Sequence, residues 1–367
     1  MELEYQNYPK FTPEMKKTHK ILIPNMAPVQ FRILAAVMRQ AGYTCELLEN
    51  CGSQVSELGL KYVHNDTCYP ALLVIGQFLD ALGSGKYDLD HTALIITQTG
   101  GGCRASNYIH MLRKALEKAG LDYIPVLSLS FGLEKNPGFH WTVGLIRRLI
   151  YGMMYGDLIM NVANQVRPYE VSAGDTTAKV EFWTSELLNR FDRGEGMSRK
   201  KMRGIFEEIC ADFKSIPVTG EEKVRVGVVG EIYVKYSPLG NNNLEQFLLS
   251  EGAEPVVPGL TDFVIFKIYN RDVDVDLYGG KWIKQKFCQI FAGYIKKYQR
   301  AMIDALNRSG RFRAPGDFDE LHHYIKGYLG DGNKMGEGWL LTAEMLELIH
   351  TGVPNIVCTQ PFGCLPN

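Results

Sequence analysis

Apolar residues follow two patterns along this chain. Short unbroken apolar runs alternate with longer stretches in which apolar positions recur every three or four residues, the signatures of buried strands and of amphipathic helices. Lys20 to Pro24 is a run of the first kind, and Thr44 to Leu48 reads as a second strand. Between them Val29 to Ala41 has helical spacing and Gly42 stops it, so the chain opens as strand, helix, strand. Leu72 to Leu82 reads as a helix whose first turn accepts Pro70, with Asp66 or Thr67 placed to cap it. Ala93 to Thr97 is another apolar strand, Tyr108 to Ala119 a helix ended by Gly120, and Tyr123 to Leu127 a further strand. Such alternation, with glycine-rich turns after the strands, predicts a doubly wound parallel sheet in which ligands sit beyond the strands' carboxyl ends.

From Trp141 to about Phe213 the spacing is helical. Leu145, Leu149, Met153, Ile159 and Val162 are apolar, Pro168 is a break, and Val180 to Phe191 and Lys201 to Phe213 follow. Lys223 to Gly230 is the strongest strand signal in the chain. After it come a polar loop from Tyr236 to Asn243, a helix from Leu244 to Ser250, and a returning strand from Glu254. A long helix from Lys281 to Asn307, a helix from Leu340 to His350 and a strand from Asn355 to Cys358 complete the chain. The expected fold class is α/β, with two Rossmann-like doubly wound parallel-sheet domains joined by a helical connector. The boundaries are a lead-in arm at 1–19, a first domain at 20–140, the connector at 141–220 and a second domain at 221–367. Only Leu365, Pro366 and Asn367 follow Cys364, and no helix remains to cover the last strand, so the second domain is expected to be truncated from a longer polypeptide.

Composition narrows the classes. Across 367 residues, forty basic side chains against forty-one acidic ones give a net charge of -1, so no global charge points to nucleic acid or an anionic membrane. No apolar run reaches the roughly 18 to 20 residues of a membrane span, and Met1 to Lys20 lacks the apolar core of a signal peptide, which makes a cytoplasmic location the expectation. Eight cysteines are too sparse for a disulfide-stapled secreted fold.

Their placement carries the chemistry. Cys103 ends Thr97-Gln-Thr-Gly-Gly-Gly-Cys, between a strand and a helix, where a helix N-terminus favours the thiolate. Gly100, Gly101 and Gly102 lack the spacing of a dinucleotide fingerprint. Cys68 precedes a second helix, and Cys364 lies in the loop after the last strand, which itself ends in Cys358. Two facing parallel sheets would bring such loops together, and thiolates gathered there suit an iron–sulfur cluster, whose ligands need not be close in sequence. Zinc is the rival, but a structural zinc site usually shows a tight C-x₂₋₄-C pair and this chain has none. Cys45, Cys210 and Cys288 read as packed core, Cys51 as a loop thiol and His64 as a residue of the surface or of the surroundings of the Cys68 site. His322 and His323 lack the spacing of a zinc site, and Met153 and Met154 beside Tyr151 and Tyr155 read as packing. Lys296, Lys297 and Arg300 form a basic face, solvated or turned toward an acidic partner.

At these residues the sequence resembles the 2-hydroxyacyl-CoA dehydratase and benzoyl-CoA reductase superfamily. The segments concerned are Asn65 to Pro70, Gly100 to Arg104 with Asn107 and Tyr108, Gly230 to Val234, Gly336 to Trp339, and Gln360 to Pro366. The resemblance runs from about residue 20 to the end, and it is nearest to the branch associated with the acyl-CoA dehydratase activator. It implies two Rossmann-like domains that hold a [4Fe-4S] cluster, or in one branch a double-cubane cluster, through Cys68, Cys103 and Cys364, with Cys358 as a fourth ligand. Three ligands leave one iron open to a substrate carbonyl, whereas four suit an electron carrier. A double cubane would require Cys51 or a second chain to join. Backbone N–H groups of Gly100, Gly101 and Gly102, and those at the helix N-termini after Cys68 and Cys103, would donate to the cluster, with Arg104 balancing its charge or that of a bound anion. The implied partners are an ATP-hydrolysing activator, separate or fused, and an acyl-CoA substrate; the implied activity is a dehydratase or a reductase of anaerobic metabolism. A homo-oligomer is compatible with this. The alternative is a non-catalytic scaffold module that binds a metal or a partner.

Overall fold

The computed structural model describes residues 8–99, 102–129, 136–196 and 198–365. The chain is an α/β protein, largely helical, with two parallel sheets of four and three strands. It divides into two compact units. Met1–Ile146, Tyr236–Asn242 and Gln360–Asn367 form the first, and Arg147–Lys235 with Asn243–Thr359 form the second.

The first unit holds β1 (Lys20–Ile23), β2 (Thr44–Leu47), β3 (Thr92–Thr97) and β4 (Val126–Leu129), in the order β2-β1-β3-β4. Ile21, Leu22, Ala93, Leu94 and Ile95 are at most 1% exposed, as expected of parallel strands covered on both faces. The sequence starts the fourth strand at Tyr123, but pairing begins at Val126. Pro125 has no N–H to give and contributes only its carbonyl, which accepts from Leu94 N–H at 2.9 Å.

One helix here has no counterpart in the sequence pattern. Ser53–Tyr62 follows Gly52 and lies against Tyr69–Gly83, a longer helix than its periodicity predicts. The two approach so closely that a Cβ on Gly59 would strike the Leu72 carbonyl, and one on Gly76 the Val55 carbonyl. Cys68 sits in the loop that joins this clamped pair. Neither Asp66 nor Thr67 caps the second helix: Cys68 itself holds the N-cap position, with no side-chain cap bond.

The second unit holds β5 (Arg225–Gly230), β6 (Glu254–Val256) and β7 (Asn355–Thr359), in the order β6-β5-β7. It takes almost all of the helix Val143–Val166, then Asp175–Asp192 and Arg199–Lys214, in the region where the sequence shows helical spacing. Tyr151, Met153, Met154 and Tyr155 are buried there as packing residues. The stretch from Tyr236 is not one loop, because Ile232–Tyr236 and Pro238–Asn241 are short helices. A further helix absent from the sequence reading, Leu260–Tyr278, precedes the long helix Trp282–Ser309. Among the described residues no helix is long and apolar enough to cross a membrane.

Candidate cysteine site

Cys68 is 4% exposed and carries its helix on an extended backbone. Its Sγ lies 3.1 Å from the hydroxyl of Tyr108, the first residue of the helix Tyr108–Lys118. Thr67 ties the same two elements together, its hydroxyl donating to Met111 Sδ at 3.0 Å. The end of the chain's described part closes over this point. Phe362 carbonyl accepts the Tyr69 N–H at 2.9 Å, and Cys364 N–H reaches the Pro361 carbonyl across a turn. Gly363 stands in the left-handed region at φ 71°, and a Cβ there would lie 3.0 Å from the Thr67 carbonyl. The left-handed conformation and the close contact both favour glycine here.

This packing uses up the helix end that was expected to donate to a cluster. Tyr69 N–H goes to Phe362, Pro70 has no N–H, and Ala71 and Leu72 donate to the Cys68 carbonyl. No N–H of that first turn is left over.

Cys103 occupies a different kind of helix start. It precedes a single 3₁₀ turn, Arg104–Ser106, and the α-helix begins only at Tyr108. Its carbonyl accepts the Ser106 N–H and hydroxyl, at 3.1 and 2.6 Å. Gln98, just past β3, donates to the Ser106 carbonyl at 3.1 Å and accepts from the Ser128 hydroxyl at 2.9 Å, so the turn hangs from the carboxyl ends of β3 and β4. Gly102 and Arg104 are exposed there, while Gly100 and Gly101 lie outside the described residues.

Of the four cysteines that the resemblance assigns as ligands, Cys68, Cys103 and Cys364 belong to the first unit, and the last two are half-buried. Cys358 is exposed and belongs to the second unit, on an edge strand in register with Val229. Among the described residues no three His, Cys, Asp or Glu side chains form a group able to hold a metal ion. Of the other four thiols, two are packed in the core. Cys45 is buried and donates to the Ala35 carbonyl at 3.1 Å, and burial pushes its pKa to about 11; burial likewise pushes Cys210 to about 12. Cys51 is exposed, as a loop thiol, and Cys288, expected in the core, is only half-buried. His64 pairs with Asp66 on the surface, and His322 bonds Asp331 at 2.9 Å with its ring against Trp339. Lys296 and Arg300 are paired with Asp317 and Asp319 of the same chain.

A second concentration of chemistry, in the second unit, is given no chemical role by the sequence, although two of its segments carry the resemblance. Gly230 ends the central strand β5 at φ 138°, so close to β7 that a Cβ would strike the Thr359 carbonyl. Glu231 then turns its carboxyl onto the N–H groups of Tyr233 and Val234, at 3.0 and 3.1 Å. Glu337 accepts from Ile232 N–H at 3.1 Å, and Lys235 reaches both oxygens of Glu344 at 2.9 and 3.0 Å. All four side chains are buried. Burial first, and then the charge of Glu337, raise the Glu231 pKa to about 8, and burial raises those of Glu337 and Glu344 as well. The arrangement keeps a proton on a carboxyl near neutral pH. The available signal was Gly-Glu after the strongest strand and again in Gly336-Glu337-Gly338-Trp339.

Comparison with protein-family models, with curated proteins and with solved structures gives no match to this chain.

Proposed function

We propose that the chain is an iron–sulfur protein of the 2-hydroxyacyl-CoA dehydratase and benzoyl-CoA reductase type, built on Rossmann-like halves. In this reading it takes one low-potential electron from an ATP-hydrolysing activator and uses it on an acyl-CoA-like substrate. The observation that supports it most is the seating of the Pro361–Cys364 turn on Thr67–Tyr69, which brings cysteine loops from opposite ends of the sequence to one place. The donor chemistry fits, because iron–sulfur clusters are held by thiolates and one unit contains Cys68, Cys103 and Cys364. Among the described residues the thiols are not grouped for a metal, so in this reading cluster binding rearranges the loops that carry them. A bound cluster supplies one-electron chemistry at low potential. The chain's own residues hold and tune: the glycine-clamped helix pair fixes Cys68, and the Tyr108 hydroxyl is placed to donate to its sulfur.

Anaerobic purification and reconstitution, followed by iron and sulfide analysis, test the reading. Coloured protein containing both is expected, with iron content falling sharply in Cys68→Ser, Cys103→Ser and Cys364→Ser and unchanged in Cys210→Ser. The EPR spectrum of the reduced protein separates a single cubane from a double one. Colourless protein without iron, or equal iron in all four variants, overturns the proposal and leaves a scaffold module as the better account.

A further inference from the structure

Helices Leu260–Tyr278 and Trp282–Ser309 form an antiparallel hairpin, zipped by Gln299 to Asp262 at 2.5 Å, Gln289 to Asp272 at 2.9 Å and Gln285 to Asp276 at 2.9 Å. In the far half of the long helix, Tyr298, Ala301 and Ala305 are buried, and Tyr298 packs on Tyr151 with ring centroids 5.1 Å apart. Toward the hairpin turn the burial stops but the apolar pattern continues. Ile283, Phe287 and Ile290, at i, i+4 and i+7, are 64%, 69% and 74% exposed. Leu277, Tyr278 and Trp282 around the turn are more than half exposed as well. Phe291 stacks on Phe287 at an interplanar angle of 15° and steadies it.

The size of this face and its charges select what covers it. An aromatic side chain buries ~150–250 Å² when fully covered, so these six residues offer roughly 700 Å². That exceeds the ~300–600 Å² of an ordinary monomer's largest patch and approaches the ~800 Å² that each partner gives to a stable interface. Asp272, Asp274 and Asp276 lie on one helix, Lys284 and Lys286 on the other and Lys281 at its N-cap, so both signs of charge border the face. A mixed rim of this kind selects neither an anionic lipid surface nor a strongly charged partner, and it matches a second rim like itself. The stripe is also nearly symmetric about its middle residue, with Ile283 four positions before Phe287 and Ile290 three after.

We infer that two copies of this chain associate through the hairpin, helix Trp282–Ser309 antiparallel to its mate about a twofold axis near Phe287. Phe287 then meets Phe287 of the partner subunit, and Ile283 meets Ile290 of the partner subunit, the self-complementary contact that a twofold interface needs. The contact requires no metal and stands or falls apart from the cysteine site.

Sedimentation velocity and light scattering on the full chain at micromolar concentration test it. The expected result is a dimer that becomes a monomer in Phe287→Glu with Ile290→Glu, its circular dichroism unchanged because both side chains are exposed on the single chain, and its melting temperature no longer dependent on protein concentration. As an independent measurement, Phe287→Cys is expected to cross-link to itself under mild oxidation, with the 287–287 peptide identified by mass spectrometry. A monomeric wild type, a dimer indifferent to both glutamates, or binding to phosphatidylserine vesicles that the glutamates abolish while mass stays monomeric would overturn the inference.

Discussion

A carboxyl such as Glu231 meets two opposing influences. Burial disfavours its charge, whereas the N–H groups of Tyr233 and Val234 favour it, and burial wins, so its pKa rises from the ordinary 4.5 to about 8. Glu347, also buried, rises to about 7 although it accepts from Gly316 N–H. The sign of the linkage follows. In the unfolded chain both groups lose their protons near pH 4.5, whereas the folded chain keeps them, so the native state binds more protons across that window. Stability is therefore expected to fall as pH rises from about 4.5 toward 8, and to level off beyond it. Glu231→Gln retains an acceptor for the two N–H groups but cannot ionise. Melting temperatures between pH 5 and 8 should fall less steeply in this variant, by a few degrees at ~2–4 °C per kcal/mol for a unit of this size. Parallel pH profiles for variant and wild type would show that Glu231 is ionised in the native state.

At the scale of elements, the position of Cys68 depends on two glycines distant from it. Gly59→Ala or Gly76→Ala forces a methyl group into a facing carbonyl, and each is expected to cost ~1–3 kcal/mol in thermal or denaturant melts, the usual range for overpacking. Gly83→Ala, in the same helix but with open space around it, should be neutral or slightly stabilising. This pair also marks what the sequence makes legible. β1, β3 and β5 stand out because a parallel strand covered on both faces reads as a largely apolar run. Tyr108–Lys118 and Leu244–Ser250 appear almost to the residue, since glycines stop them. Ser53–Tyr62 does not appear, because its contact is made through glycine and a backbone carbonyl, which leave no apolar stripe. Leu260–Tyr278 is hidden for another reason. Its inward side includes Asp262 and Asn270, bonded to Gln299 and to the Lys334 carbonyl, so polar residues interrupt the period that would announce it. The cysteine loops could be read as turns rich in glycine and proline, but the seat of Pro361–Cys364 on Thr67–Tyr69 is a contact between the two ends of the sequence, which no local pattern encodes.

In the whole molecule, neither unit is a continuous stretch of chain. Tyr236–Asn242 and Gln360–Asn367 belong with Met1–Ile146, so the first unit draws on three separate parts of the sequence. The contacts that recruit them are specific: Ser237 hydroxyl donates to the Asn25 carbonyl at 3.4 Å, and the Phe362 carbonyl takes the Tyr69 N–H. A chain shortened to end at Thr359 loses the second contact while retaining β7 entire. Tyr69 N–H then faces an emptied seat beside the buried Cys68, and losing one such bond costs ~0.5–1.5 kcal/mol. Hydrogen exchange at Tyr69 and in the first turn of its helix is expected to quicken, while the amides of β5 keep their protection. Unchanged exchange at Tyr69 would mean that the Phe362 contact contributes nothing in solution. The same shortened chain bears separately on the ligand set, because it lacks Cys364. If it were to bind as much iron and sulfide as the full chain, Cys364 would be excluded as a ligand, and the turn that carries it would have only the structural role of closing the Cys68 loop.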